Sequence, residues 1–253
     1  MTTNPGLEAA VAGLVAEGAS VVLHVDGPDE RTAAAGVPAA RVLDAPARGF
    51  DEAQSLLAAL VDELGGVQAL LLPVPPRRSA GLADLDPAVW ADDLGRITQR
   101  STAFARAFAR HRVAAGGGGH VVTFSSSAVF EADGVGQASL NAAVLSLTSG
   151  VATTLAPHGV AVNCVVLGGD GAEATGLPVP SGDDHLLAPL VAHLLTVDPS
   201  FTGKFVYCGG SDVGIYAMPL VIEQSHVLVH VPESIDAAGL GEVLAPLADV
   251  GRV

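Results

Sequence analysis

Short apolar runs alternate with segments of helical periodicity along most of the chain, and this alternation narrows the fold more than any other feature. Six runs are nearly continuous in apolar residues: 20–25, 40–44, 67–72, 120–126, 160–166 and 204–208. Strands of this kind are covered on both faces, as in a parallel sheet. Four intervening segments have helical spacing: 6–17, 51–64, 86–112 and 137–156. The pattern predicts a single α/β domain with a doubly wound parallel sheet.

The charge and cysteine content exclude several functional classes. The 253 residues include 27 acidic and 12 basic side chains, a net charge of −15, which disfavours binding to nucleic acid or anionic membranes. Cys164 and Cys208 are the only cysteines. They exclude a disulfide framework and a cysteine-based zinc site, and we expect buried apolar roles for both. The N-terminal sequence shows no signal peptide and no run approaches the ~18 apolar residues of a membrane span, so a cytoplasmic location is expected.

The sequence shows no strong linker and no internal repeat. Four glycines at 116–119 predict a tight loop rather than a hinge between domains. We therefore expect one domain over 1–253, with a core at about 6–215 and a C-terminal extension at about 216–253. The extension contains a strand-like run at 226–231 and a predicted short helix at 235–247.

Three stretches resemble the short-chain dehydrogenase/reductase family. They are HVVTFSSSAVF (120–130), NAAVLSLTSGVATTLAPHGVAVNCVVLGG (141–169) and FTGKFVYCGG (201–210). The resemblance covers about 6–215. It implies a Rossmann-like fold and hydride transfer to or from a nicotinamide cofactor. The stretches indicate the fold more specifically than the activity, because one fold hosts many functions.

The resemblance also places the family's four catalytic positions. Ser126 falls at the serine that orients the substrate, and Gln137 falls at the tyrosine that acts as acid and base. Asn141 falls at the lysine that lowers the tyrosine pKa, and Ile97, counted from Trp90, falls at the asparagine. A glutamine cannot exchange protons near neutral pH, and an asparagine carries no charge that lowers a neighbouring pKa. No Tyr-x-x-x-Lys sequence occurs in the chain. We therefore expect a catalytically degenerate member.

The dinucleotide site implied by the resemblance is also incomplete. Gly6 is the one glycine left of three, and Glu8 would repel a pyrophosphate ~5 Å away by roughly 3 kcal/mol at an effective dielectric of ~20. LPVPP (72–76) replaces the family's Asn-Asn-Ala-Gly segment. Asp26, placed to hold a ribose, and Asp44, placed near an adenine, remain as vestigial contacts. The sequence thus predicts that dinucleotide binding is lost or much weakened in this chain.

The family's first strand is missing, since only the short polar segment MTTNP precedes the first helix. Three repairs are open. The runs at 20–25 and 67–72 could pair directly, the tail run at 227–231 could fill the gap, or a misassigned start codon could have removed residues. Our hypothesis is that the sheet closes over the former cofactor cleft.

Other site patterns are weaker. His226 and His230 have no cysteine or carboxylate cluster beside them, so no metal site is predicted. Ser125, Ser126 and Ser127 lack the G-x-S-x-G sequence of a hydrolase nucleophile.

Three functions stay open. The first is a non-catalytic subunit paired with an active homologue through helices 86–112 and 137–156, which form a four-helix interface in the family. That partner would supply NAD(P), and the substrate would be an acyl thioester, polyketide or steroid-like ketone or alcohol. The second is an active NAD(P)-dependent oxidoreductase with rearranged catalytic groups. The third is a small-ligand binding protein or non-redox enzyme that uses the remodelled cleft.

Overall fold

Strands and helices alternate through the described part of the chain, as the sequence predicts. The computed structural model describes residues 5–25, 37, 41–47, 49–72, 82–126, 135–168, 186–209 and 212–216. The strands are β1 (Val22–Val25), β2 (Arg41–Asp44), β3 (Ala69–Leu72), β4 (Gly119–Ser126), β5 (Val160–Leu167), β6 (Phe205–Gly209) and β7 (Asp212–Tyr216). The helices are α1 (Pro5–Ala16), α2 (Phe50–Leu64), α3 (Pro87–Gly95), α4 (Ser101–Ala114), α5 (Val135–Leu155) and α6 (Leu187–Leu194). The α/β fold class is confirmed.

The chain divides into two compact units, Met1–Tyr216 and Ala217–Val253. The second unit lies outside the described residues, and so do the strand predicted at 226–231 and the helix predicted at 235–247.

The described strands form two sheets. β1 and β2 pair in parallel, and a second sheet has the order β3-β4-β5-β6-β7. The pairs from β3 to β6 are parallel, whereas β7 is antiparallel to β6. The sequence did not predict β7, because its glycine and aspartate interrupt the apolar pattern. Direct pairing between 20–25 and 67–72 is wrong for the described residues, since β1 and β3 belong to different sheets.

Helices cover both faces of the larger sheet. On one face α2, α4 and α5 bury a cluster that includes Phe108, Val121 and Val162. On the other face α1 and α6 bury Phe124 and Val165. Every residue of β5 is buried, which explains why its sequence is apolar at every position except Asn163.

Helix α5 is apolar along much of its length, and one of its faces packs on the sheet. Residues 138–158 satisfy the length and hydropathy of a membrane span by composition alone. In the fold, however, α5 packs against β4 and β5. Packing on the sheet therefore accounts for the buried part of this segment, which is less than half of it.

The helix predicted at 86–112 is one continuous helical run with an irregular centre. Asp86 caps α3, and its Oδ1 accepts hydrogen bonds from the amides of Ala88 (2.9 Å) and Val89 (3.3 Å). Between α3 and α4, residues Arg96–Arg100 form a π-helical turn. Such turns insert one extra residue into a helix. The turn buries Ile97, which is 6% exposed.

The glycine loop at 116–119 closes tightly, as predicted. All four glycines have positive φ, from 74° to 118°. Arg112 Nε donates to the carbonyl of Gly118 (2.7 Å) and Nη2 to that of Gly117 (2.9 Å). The guanidinium thus holds the loop between α4 and β4.

Candidate functional site

Ser126 and Asn141 meet at the carboxyl end of β4, the edge at which open α/β sheets bind ligands. Asn141, on α5, is fully buried, and its Oδ1 accepts two hydrogen bonds. The main-chain amide of Ser126 donates one (3.0 Å) and the hydroxyl of Ser125 donates the other (3.1 Å). The Asn141 carboxamide therefore fastens the end of β4 to α5.

A second polar contact lies deeper between the same two elements. The hydroxyl groups of Thr123 on β4 and Thr148 on α5 are 2.6 Å apart, and Thr148 also donates to the carbonyl of Val144 (2.8 Å). Thr148 and Asn141 are seven residues apart, so they lie on the same helix face two turns from each other. Buried polar groups satisfied in this way fix the register between the helix and the strand.

Cys164 lies beside this pair on β5 and is chemically protected. Burial raises the pKa of its thiol to about 12, and hydrogen bonds from Thr123 and Thr148 only partly oppose that effect. The raised pKa keeps the thiol protonated at neutral pH, so little of the reactive thiolate forms. The expectation of a buried structural role is confirmed for both Cys164 and Cys208.

We expect iodoacetamide at pH 8 to leave Cys164 of the folded protein unmodified, because the reagent needs an exposed thiolate. The same reagent in 8 M urea should alkylate it fully, as peptide mass spectrometry will show. Rapid alkylation of Cys164 under native conditions would contradict the burial and the raised pKa.

The other two predicted catalytic positions, Gln137 and Ile97, lie on α5 and on the π-helical turn that packs against it. Gln137 is in the first turn of α5, and its side chain lies outside the described residues. Ile97 is buried in the π-helical turn, which packs against α5. Its aliphatic side chain offers no polar group to a ligand. The described part of the site thus holds hydroxyl and amide groups, with no acid or base that titrates near neutral pH.

Of the three residues predicted to contact a cofactor, the structure describes Gly6 and Asp44 but not Asp26. Gly6 lies in the first turn of α1, and the four residues before that helix lie outside the described residues. Asp44 is the last residue of β2 and is exposed, while Asp26 lies outside the described residues. In the described ranges, no three histidine, cysteine or acidic side chains are grouped as metal ligands would be.

Sequence reasoning missed a histidine that connects the sheet of β1 and β2 to the helical run from α3 to α4. His24 Nε2 lies 2.7 Å from the carbonyl oxygen of Ala45, and Nδ1 lies 3.0 Å from Arg100 Nη2. Arginine has only donors, so Nδ1 accepts and Nε2 carries the hydrogen. The ring also contacts Phe104, with centroids 5.0 Å apart. No sequence pattern relates residues 76 positions apart, so this contact could not be predicted.

Comparison with solved structures identifies the fold. A short chain dehydrogenase from Mycobacterium avium aligns with a TM-score of 0.70 and 20% identity, over 95% of this chain and 89% of that chain. A protein described as a candidate betaketoacyl-ACP reductase aligns with a TM-score of 0.63 and 25% identity, over 82% and 92% of the two chains.

A short chain dehydrogenase from Burkholderia cenocepacia J2315, solved in complex with NADP, is also similar. Its TM-score is 0.64 and its identity 25%, over 80% of this chain and 91% of that chain. The curated proteins contain no match. The family model described as Enoyl-(Acyl carrier protein) reductase matches residues 6–175. The chain therefore belongs to the short-chain dehydrogenase/reductase family of oxidoreductases.

Proposed function

We propose that this chain is a non-catalytic subunit of a hetero-oligomeric ketoreductase or dehydrogenase. It pairs with an active homologue, which supplies the tyrosine, the lysine and the NAD(P) cofactor. The substrate is a ketone or secondary alcohol carried on an acyl thioester, polyketide or steroid-like skeleton. This chain stabilises, positions or regulates the active subunit.

The hydrogen bonds of Asn141 are the observation that carries this proposal. The resemblance puts a lysine at this position, and its positive charge lowers the pKa of the catalytic tyrosine. Here the side chain is neutral and buried, and its oxygen accepts hydrogen bonds from Ser125 and Ser126. An amide used in this way stabilises the fold and leaves no cation for acid–base chemistry.

The dinucleotide contacts support the assignment of NAD(P) to the partner. Glycines after the first strand allow a pyrophosphate to approach the backbone at a helix N-terminus. The resemblance leaves Gly6 as the one glycine of three and puts Glu8 where its carboxylate would repel a pyrophosphate. Asn141 is also shorter than lysine and its oxygen is engaged, so it does not fit contact with a nicotinamide ribose.

The helices expected at the subunit interface support the pairing. Val89 on α3 and Val113 on α4 are large apolar side chains that remain exposed, by 37% and 43%. Helix α5 is rich in alanine, serine, threonine and valine, which allow another helix to approach closely. The betaketoacyl-ACP reductase description of one similar structure supports an acyl-thioester substrate.

Co-expression with an intact homologue tests the proposal. The homologue should contain Tyr-x-x-x-Lys and be encoded beside this chain. We expect a mixed complex by size-exclusion chromatography with light scattering, and NADPH oxidation with acetoacetyl-CoA that requires both chains. A Tyr→Phe substitution in the homologue should abolish turnover, and this chain alone should not quench NADPH fluorescence. A homo-oligomer of this chain that reduces the substrate by itself would overturn the proposal.

A further inference from the structure

Positive charge is concentrated on one helical run of an otherwise acidic chain. Residues 94–130 contain five arginines and no acidic residue, so all 27 acidic side chains of the protein lie elsewhere. The five arginines lie on the π-helical turn and on α4. The net charge of the whole chain is −15, so the chain as a whole repels an anionic partner, whereas this run attracts one.

Three of these arginines are used within the fold, and two are not. Arg96, Arg100 and Arg112 each form hydrogen bonds with other groups of this chain. Arg106 and Arg110 are exposed, and neither forms a hydrogen bond or an ion pair with the described residues. The donors of these two guanidinium groups are therefore available to a partner.

Arg106 and Arg110 share one face of α4 with an exposed apolar side chain. Positions 106, 110 and 113 have the i, i+4, i+7 spacing of a single helix face, and Val113 is exposed. The Arg106 Cζ atom lies 5.1 Å from the centroid of the Phe50 ring, which is also exposed. This cation–π contact favours one position of the guanidinium. We call these four side chains the arginine face.

The two exposed arginines do not stabilise the helix that carries them. Like charges at i and i+4 destabilise a helix, and residues 94–130 contain no carboxylate that could neutralise them. Carboxylates one turn apart on a partner helix would remove this repulsion and form paired, charge-assisted hydrogen bonds with the guanidinium groups. Binding therefore explains the arginine pair better than the stability of this chain does.

A second copy of this chain does not suit the arginine face. A two-fold contact centred on the face presents the same residues from both sides, so Arg106 and Arg110 would meet the arginines of the other copy. Nucleic acid and anionic membranes are disfavoured by the net charge of −15. An acidic helix of a different protein matches both the charge of the face and its exposed apolar side chains.

We propose that the arginine face binds an acidic helix of the active homologue. Two carboxylates one turn apart on that helix pair with Arg106 and Arg110, and its aliphatic side chains contact Val113 and Phe50. The inference rests on the proposed function, which supplies the homologue as the partner. It goes further by naming the chemistry of the contact and by giving a reason why this chain pairs with a different protein rather than with itself.

Charge reversal on the face is the direct test. Arg110→Glu should weaken the mixed complex by about tenfold or more, because it sets a carboxylate against the carboxylates of the homologue. It also gives Arg106 an oppositely charged neighbour one turn away, so the fold should not lose stability. Lys204→Glu makes the same charge change at an exposed residue before β6, and should alter the Kd by less than about twofold. Circular dichroism of each variant confirms the fold before Kd is measured.

A charge exchange with the homologue provides the second readout. Exposed acidic residues on the homologue's helices are replaced by arginine one at a time, and at least one replacement should restore binding to the Arg110→Glu chain. Equal weakening by Arg110→Glu and Lys204→Glu, or the absence of any restoring replacement, overturns the contact and leaves the proposed function standing. Self-association of the wild-type chain that Arg110→Glu abolishes assigns the face to a second copy and overturns the inference. If the wild-type chain forms no mixed complex, the proposed function fails, and this inference fails with it.

Discussion

Replacing Gly117 by alanine should lower the free energy of unfolding by about 3–5 kcal/mol, a large share of a typical domain's stability. The residue has φ of 89°, and a Cβ atom would lie 2.4 Å from the main-chain oxygen of His158. That oxygen also accepts the hydrogen bond from the Gly118 amide (2.9 Å). Relieving the clash therefore moves backbone and breaks a hydrogen bond. Urea unfolding followed by circular dichroism measures the change.

The neighbouring glycine is a matched control for this prediction. Gly116 has a similar φ of 94°, but a Cβ atom there meets nothing within 4 Å. Gly116→Ala should thus cost only the conformational strain, about 1–2 kcal/mol. If both variants lose the same stability, steric contact with His158 contributes nothing and our description of the loop is wrong.

Replacing Asn141 by leucine should lower the free energy of unfolding by about 2–5 kcal/mol. Leucine has the same branched shape and number of side-chain non-hydrogen atoms as asparagine but no hydrogen-bond acceptor. The Ser126 amide then loses this acceptor, and the Ser125 hydroxyl keeps the longer contact to the Asn141 carbonyl (3.4 Å). Chemical denaturation measures the loss of stability, and hydrogen exchange at the Ser126 amide should accelerate.

Ser146 provides the control on the same helix. It is exposed, so Ser146→Leu changes the same helix without removing a buried acceptor. Its stability should stay within about 0.5 kcal/mol of the wild type. An Asn141→Leu protein as stable as the Ser146→Leu protein would show that the carboxamide does not hold β4 to α5. The main support for a neutral structural role at this position would then be lost.

The sequence predicted the strands well because each buried strand has a nearly unbroken apolar run. β4 and β5 differ from their predicted bounds by a single residue at one end, and α2 and α5 begin one and two residues early. A strand buried on both faces needs apolar side chains at nearly every position, so it is visible in the sequence as an apolar run. β7 was not predicted, since Val213 and Ile215 are exposed and alternate with glycine in an edge strand.

The site was predicted in its residues but not in its interactions. The resemblance brought Ser126 and Asn141 to the same place, and the structure joins them by a hydrogen bond. It did not indicate that Ser125 shares the same acceptor. Contacts such as His24 with Arg100 depend on how distant elements pack, and a single sequence carries no periodicity that reports them.

The separation of the described strands into two sheets has a consequence for how this part of the protein can change. Strands that share a ladder must keep a common register, so an insertion in one disturbs its neighbours. In the described residues β1 contacts the helical run from α3 to α4 through the side chains of His24, Arg100 and Phe104. It shares no hydrogen-bonded ladder with β3 there. Side chains tolerate small shifts of backbone that a ladder does not. The sequence and length of the sheet formed by β1 and β2 can therefore change without disturbing the strand register of the larger sheet.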